Sequence, residues 1–96
     1  MKQFRSDNEI IEDIKRAENS HLAFRELIEK YQQPLYWHIR KIVIDHDDTD
    51  DILQNTFIKV WKSIGEFKQQ SKLYTWLYRV ATNESLTFLR NKNRRT

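Results

Sequence analysis

The sequence has no cysteine, one glycine and one proline. Without thiols there is no disulfide, no zinc–thiolate centre and no cysteine nucleophile. A single glycine leaves almost no material for hairpin turns or a glycine-rich phosphate loop. Long apolar runs are missing too. The run from Ile10 to Ile14 is broken by Glu12 and Asp13, and no stretch reads as a signal peptide or a membrane span. His21, His38 and His46 are scattered and form no metal-ligand spacing. Asp45, Asp47, Asp48, Asp50 and Asp51 cluster, but without the glycine and terminal glutamate of a calcium loop. These exclusions leave a soluble cytosolic protein with no cofactor, no metal and no catalytic constellation, so an enzyme is not expected. Its 96 residues suffice for one domain with one core.

Charge is unevenly spread. Residues 1–51 hold 8 Lys/Arg against 12 Asp/Glu, a net −4, and residues 52–96 hold 9 against 2, a net +7. Such polarity suggests two surfaces for two kinds of partner, the basic one suited to nucleic acid.

Helical periodicity runs through the whole chain and predicts an all-α fold of about four to five helices. Ser6 or Asp7 can cap a first helix with Ile10, Ile11 and Ile14 on its apolar edge. Asn19-Ser20 reads as a break, with Ser20 the next cap. Phe24, Leu27, Ile28 and Tyr31 form a second stripe, continued after Pro34 by Leu35, Ile39, Ile42 and Val43. Pro34 lacks an amide donor and crowds the preceding turn, which predicts a kink or short break near Gln32-Gln33.

Asp47 or Thr49 can cap a central helix in which Leu53, Phe57, Val60, Trp61 and Ile64 form the expected core face. Residues 65–70 read as a loop, Ser71 as a cap, and Lys72 to about Asn91 as the last helix. The expected buried cluster contains Phe24, Ile28, Leu53, Phe57, Val60, Leu77 and Val80. Trp37, Trp61 and Trp76 are read as core residues first and as platforms for bases second.

Two faces stand apart from this core. On the central helix, Asp51, Gln54, Asn55, Ile58 and Lys62 make a stripe that is polar but for one isoleucine. Spacing alone allows either a solvated face or a partner-binding one. On the last helix, at about 100° per residue, Lys72, Arg79, Asn83 and Arg90 point together. Such a row of donors is either a solvated face or one that suits a phosphate backbone and, through Asn83, a base edge.

The run from Asp51 to Trp61, followed by Phe67–Ser71, Thr75–Ala81, Asn83 and Leu89-Arg90, resembles bacterial RNA polymerase sigma factors of the extracytoplasmic-function (ECF) group. The likeness is to their second conserved region and covers roughly residues 20–95. It implies a transcription initiation domain spanning residues 1–96 that binds core polymerase and melts the promoter. Asp50, Asp51, Gln54, Asn55 and Ile58 would then meet the polymerase clamp coiled coil. The last helix and the loop before it would read the non-template strand of the minus-ten element. A flipped base would enter a pocket built from Ile64, Phe67, Lys68, Val80 and Asn83, with Lys72, Arg79 and Arg90 on phosphates. An anti-sigma factor is a further implied partner.

The sequence departs from the family pattern at Asn55 (usually Glu), Gln69 (commonly Gly), Thr82 (often basic) and Thr87 (often Asp). The family's helix-turn-helix domain is not found after Arg95, and the expected chain is an excised domain or a truncated product. The competing reading is a protein-interaction module that binds polymerase or an anti-sigma factor and engages DNA poorly alone.

Overall fold

The computed structural model describes residues 3–16, 18–68 and 72–94. They form four α-helices: α1 (Asp7–Lys15), α2 (Ser20–Val43), α3 (His46–Ser63) and α4 (Leu73–Arg94), with a 3-10 turn at Ile64–Glu66 between the last two. No strand occurs among the described residues. The chain is all-α, as its periodicity predicts.

The 24-residue α2 is the axis, packing against α1, α3 and α4. Ala23, Leu27, Tyr31, Leu35, Ile39 and Val43 recur every fourth residue along it, and all are buried. The helix runs through Pro34 without a break. Pro34 lies on the exposed side of the helix, where the carbonyl it leaves without a partner can meet water, and buried Tyr31 and Leu35 hold the backbone on either side.

The starts of α1 and α3 are set by short polar side chains. Ser6 caps α1, its Oγ accepting from Glu9 N at 3.3 Å. Asn19, in the left-handed region at φ 58°, precedes α2. Asp45 caps α3, its carboxylate accepting from Asp48 N at 2.9 Å. The helix therefore starts earlier than the expected caps, Asp47 and Thr49, and Thr49 is buried inside it. The expected cap Ser71 lies outside the described residues.

The core face of α3 is also rotated from its expected position. Thr49, Ile52, Thr56, Phe57 and Val60 are buried, whereas Leu53 is half-buried and Trp61 is 44% exposed. Buried hydroxyls are tolerated here because each donates within its own helix: Thr49 Oγ1 to Asp45 O at 2.7 Å, and Thr56 Oγ1 to Ile52 O at 2.8 Å. Phe57, Val60 and Leu77 are buried as expected. Phe24, Ile28 and Val80 pack against the core but are only partly covered.

The α2–α3 junction carries strain. Asp45 N donates to Val43 O at 2.7 Å, closing a three-residue turn around Ile44 at φ 71°, ψ −45°. A β-branched side chain is poorly suited to that conformation, and that of Ile44 is 74% exposed. Ile44→Gly is expected to stabilise the domain by about 1 kcal/mol: about 1–3 kcal/mol of relieved strain, less the greater freedom of glycine in the unfolded chain. A higher urea midpoint with unchanged slope would show this; a lower midpoint would mean that the isoleucine side chain contributes more than the turn costs.

His38 links α2 to α4, its Nε2 lying 2.7 Å from Thr82 Oγ1 and its ring 4.7 Å from that of Tyr78. Burial, aided by the charge of Lys41, lowers its pKa below the ordinary 6.5. As pH falls below about 6.5, the unfolded chain takes up this proton before the folded one, so stability is lost on acidification and unaffected above neutrality. Thermal melts of wild type and His38→Gln between pH 7.5 and 5.5 should show a smaller loss in the variant.

Candidate nucleic-acid and partner interfaces

The outer side of α3 presents Asp50, Asp51, Gln54, Asn55 and Ile58, all exposed. Ile58 is not an isolated apolar residue among them. Half exposed at 53%, it forms the lip of an apolar channel between α2 and α3. One segment of the channel, about 330 Å³, is lined by His21, Phe24, Ile28, Phe57, Ile58 and Trp61. A second, about 310 Å³, continues past Gln32, Leu53 and Gln54. Phe24 holds the floor in place, meeting Phe57 edge-on at 6.4 Å and Trp61 at 4.9 Å between ring centroids.

Leu53 and Trp61, expected in the core, thus line a groove, whose floor is the buried Phe57. Sequence reading missed the α2 side of it, His21, Phe24, Ile28 and Gln32. A signal was available: apolar positions on α3 run from Ile52 round to Ile58, an arc wider than one packed neighbour can cover.

The other face belongs to α4. Lys72, Arg79, Asn83 and Arg90 are all exposed along it. Beside this row, between α4 and α3, lies a cavity of about 260 Å³ lined by Lys59, Ser63, Trp76, Val80, Asn83 and Glu84. The Lys59 ammonium bridges to the Glu84 carboxylate at 2.9 Å on one wall. Asn83 belongs to both features, so its amide, which can donate and accept, sits where the cationic row meets the cavity.

Of the residues expected to build a base pocket, Val80 and Asn83 line this cavity. Ile64 and Phe67 are buried instead, and Phe67 stacks on Trp76 at 5.0 Å with 28° between the rings. Phe67 therefore backs a wall residue. Its carbonyl accepts from Lys15 Nζ at 2.7 Å, which ties the loop to α1. Lys68 is exposed at the start of the loop, whose residues 69–71 lie outside the described part. Lys59, Ser63, Trp76 and Glu84 were not anticipated. Trp76 could have been found, because it stands four residues before Val80 and seven before Asn83 on the same side of the helix.

The electrostatics of the two faces differ. The α3 N-terminus is acidic, and Asp48 is approached by Lys92 at 3.5 Å. The one acidic residue of α4, Glu84, is engaged by Lys59, and Arg79 has no ion pair among the described residues. The α4 row is thus open to an anionic partner, and the α3 face with its apolar groove is suited to a protein.

This helical fold is that of the sigma-70 region 2 family, to which the chain belongs: the family's model matches residues 27–95. Its curated relatives include RNA polymerase sigma factors, several of them of the ECF type. It is 35% identical over 89 residues to the RNA polymerase sigma-H factor of Pseudomonas aeruginosa, covering 93% of this chain and 45% of that protein. It is 32% identical over 90 residues to the ECF RNA polymerase sigma-E factor of Haemophilus influenzae, covering 94% and 46%. The chain thus spans a little under half the length of these relatives.

Among solved structures, it superimposes with a TM-score of 0.86 and 28% identity on an engineered region 2 of sigmaE in complex with GTAAAA, covering 99% of this chain and 97% of that one. CnrH, solved with the cytosolic domain of CnrY, shares the fold at a TM-score of 0.75 and 23% identity over 84% of this chain and 51% of that one.

Proposed function

We propose that the chain is a transcription initiation module that binds core RNA polymerase and recognises and melts the minus-ten promoter element. The observation that carries this reading is the meeting, at Asn83, of an aligned row of cationic side chains with a cavity lined in part by aromatic and apolar surface. A strand laid along Lys72, Arg79 and Arg90 releases condensed counterions at each phosphate. One base turns out of the stack into the cavity between α3 and α4, against Trp76 and Val80, with the Asn83 amide on its edge. Extruding a base costs a few kcal/mol, which aromatic contact and phosphate binding must return. The likeness to a region 2 bound to GTAAAA supports this assignment.

The polymerase clamp coiled coil occupies the α3 face, with Asp50, Asp51, Gln54 and Asn55 on the rim and Ile58 at the centre. No chemistry is performed, and the site of action is the cytoplasm, where polymerase is. A second reading is favoured by the size of the α2/α3 groove, which reaches well beyond Ile58. In that reading the groove takes an anti-sigma partner and the chain engages DNA weakly by itself.

Titrating fluorescein-labelled GTAAAA and a scrambled hexamer, at two salt concentrations with and without core polymerase, separates the two. Promoter recognition requires tighter binding of the first strand and a loss of affinity at higher salt. If neither strand binds even with polymerase present, the interaction-module reading stands and the melting function fails.

A further inference from the structure

From Lys30 to Val43, α2 holds no Asp or Glu, and α4 holds only Glu84, which is turned to Lys59 on the α3 side. Between the Asp7–Lys30 pair at the start of this stretch and the Asp48–Lys92 pair near the end of α4, these two surfaces adjoin. Their junction is His38, in contact with Thr82 and Tyr78. Outward from it on α2 come Lys41 and Trp37, separated by about 40° around the helix. Outward on α4 come Leu86 and Arg79, leading into the cationic row. Lys41, Trp37, Leu86 and Arg79 are all exposed.

Trp37 is the unusual member. Its indole is 54% exposed, yet it is not loosely placed. Tyr36 meets it edge-on at 5.1 Å, and the Arg40 guanidinium lies 5.9 Å from its ring centroid. Tyr36 is itself fixed, since its hydroxyl accepts from Arg40 Nη1 at 2.9 Å and bonds His46 Nδ1. A single exposed aromatic residue is ordinary on a protein surface. An indole held from one side, left open on the other and flanked by cations on a carboxylate-free face is the arrangement by which proteins bind single strands. The acidic side chains of the α3 N-terminus bound this face at its Tyr36 side, where His46 pairs with Asp50 at 3.4 Å.

We propose that the α2/α4 face is a second nucleic-acid contact, in which a base of single-stranded DNA flanking the segment held by α4 stacks on Trp37 while Lys41 and Arg79 meet the intervening phosphates. The inference rests on the reading of α4 as the promoter-binding helix and extends the path of the strand beyond it.

The test titrates the whole chain against fluorescein-labelled GTAAAA and against the same hexamer with six thymidines added on its 5′ or its 3′ side. One extended strand should bind about tenfold more tightly than the hexamer, the worth of one stacked base. Trp37→Ala should remove that gain and leave hexamer affinity unchanged. Trp37→Tyr should keep most of it, and Lys41→Gln should reduce its salt dependence. Circular dichroism establishes that each variant is folded.

If Trp37→Ala retains the full gain, or neither extension improves binding, the proposal is overturned. It is equally overturned if Trp37→Ala spares the gain and weakens polymerase binding, which would make Trp37 a protein contact. An extended strand that binds through Trp37 when the hexamer alone does not bind would support this contact while sinking the α4 reading. Absence of binding to every strand, with core polymerase present as well, would sink both.

Discussion

Ile58→Glu is expected to weaken binding to core polymerase at least thirtyfold, whereas Asp51→Asn should change it less than threefold. The difference follows from where the two side chains stand. Asp51 is an exposed carboxylate on the outer side of α3, and removing such a rim charge mainly alters association rate and salt sensitivity. Ile58 overhangs the apolar channel whose floor is Phe57 and whose walls are Phe24, Ile28 and Trp61. A residue at the dry centre of a contact, ringed by groups that exclude water, typically carries about 2 kcal/mol or more, which is the thirtyfold expected here. A glutamate in that position would also bring an unpaired charge into the interface.

Folding should survive the change, because Ile58 is half exposed in the free domain and its loss opens no internal cavity. Circular dichroism and a clamp-binding titration on the same preparation decide the matter. A folded Ile58→Glu variant with undiminished clamp affinity would remove the α2/α3 groove from the polymerase interface.

The sequence was most legible where burial is carried by carbon. On α2, counting apolar residues recovers Leu27, Tyr31, Leu35, Ile39 and Val43, because the whole stripe is hydrophobic and the helix is long enough for the period to be unambiguous. On α3 the same count fails by about half a residue's rotation. Its true core line passes through Thr49 and Thr56, which a hydropathy pattern scores as polar. Their hydroxyls bond back to the helix, so they are buried without needing any partner outside it. The apolar residues displaced from that line, Leu53 and Trp61, then line the groove.

The continuity of α2 through Pro34 was hidden for a related reason. Local propensity argues for a break, and only the packing on both sides of the proline overrides it. At the candidate DNA face, the cationic row was visible because it lies on one helix. The cavity beside it was only half visible, because Lys59 and Ser63 come from α3 and only packing brings them to α4. Phe67 shows the limit of composition: an aromatic in the right loop reads as a base platform, but stacking on Trp76 places it behind the wall.

Arg79→Ala and Asn83→Ala should fail in different ways, although the two residues are one helical turn apart. Arg79 is an exposed cation without an ion pair among the described residues, placed to meet a phosphate. Each phosphate neutralised on a single strand contributes about 0.7 to the slope of log affinity against log salt. Arg79→Ala should therefore lower affinity for every promoter strand alike and flatten that slope by about this amount. Asn83 carries no charge, so Asn83→Ala should leave the slope as it is. Its amide stands at the cavity mouth beside Trp76 and Val80, where it can donate to and accept from the edge of an extruded base. Losing it should blunt discrimination at one position of the minus-ten element by about 1–3 kcal/mol, the worth of a good base-edge pair. Both variants are read by titration, in complex with core polymerase, against strands substituted one base at a time. A uniform loss across all strands for Asn83→Ala would make Asn83 a backbone contact and leave the cavity without a reader.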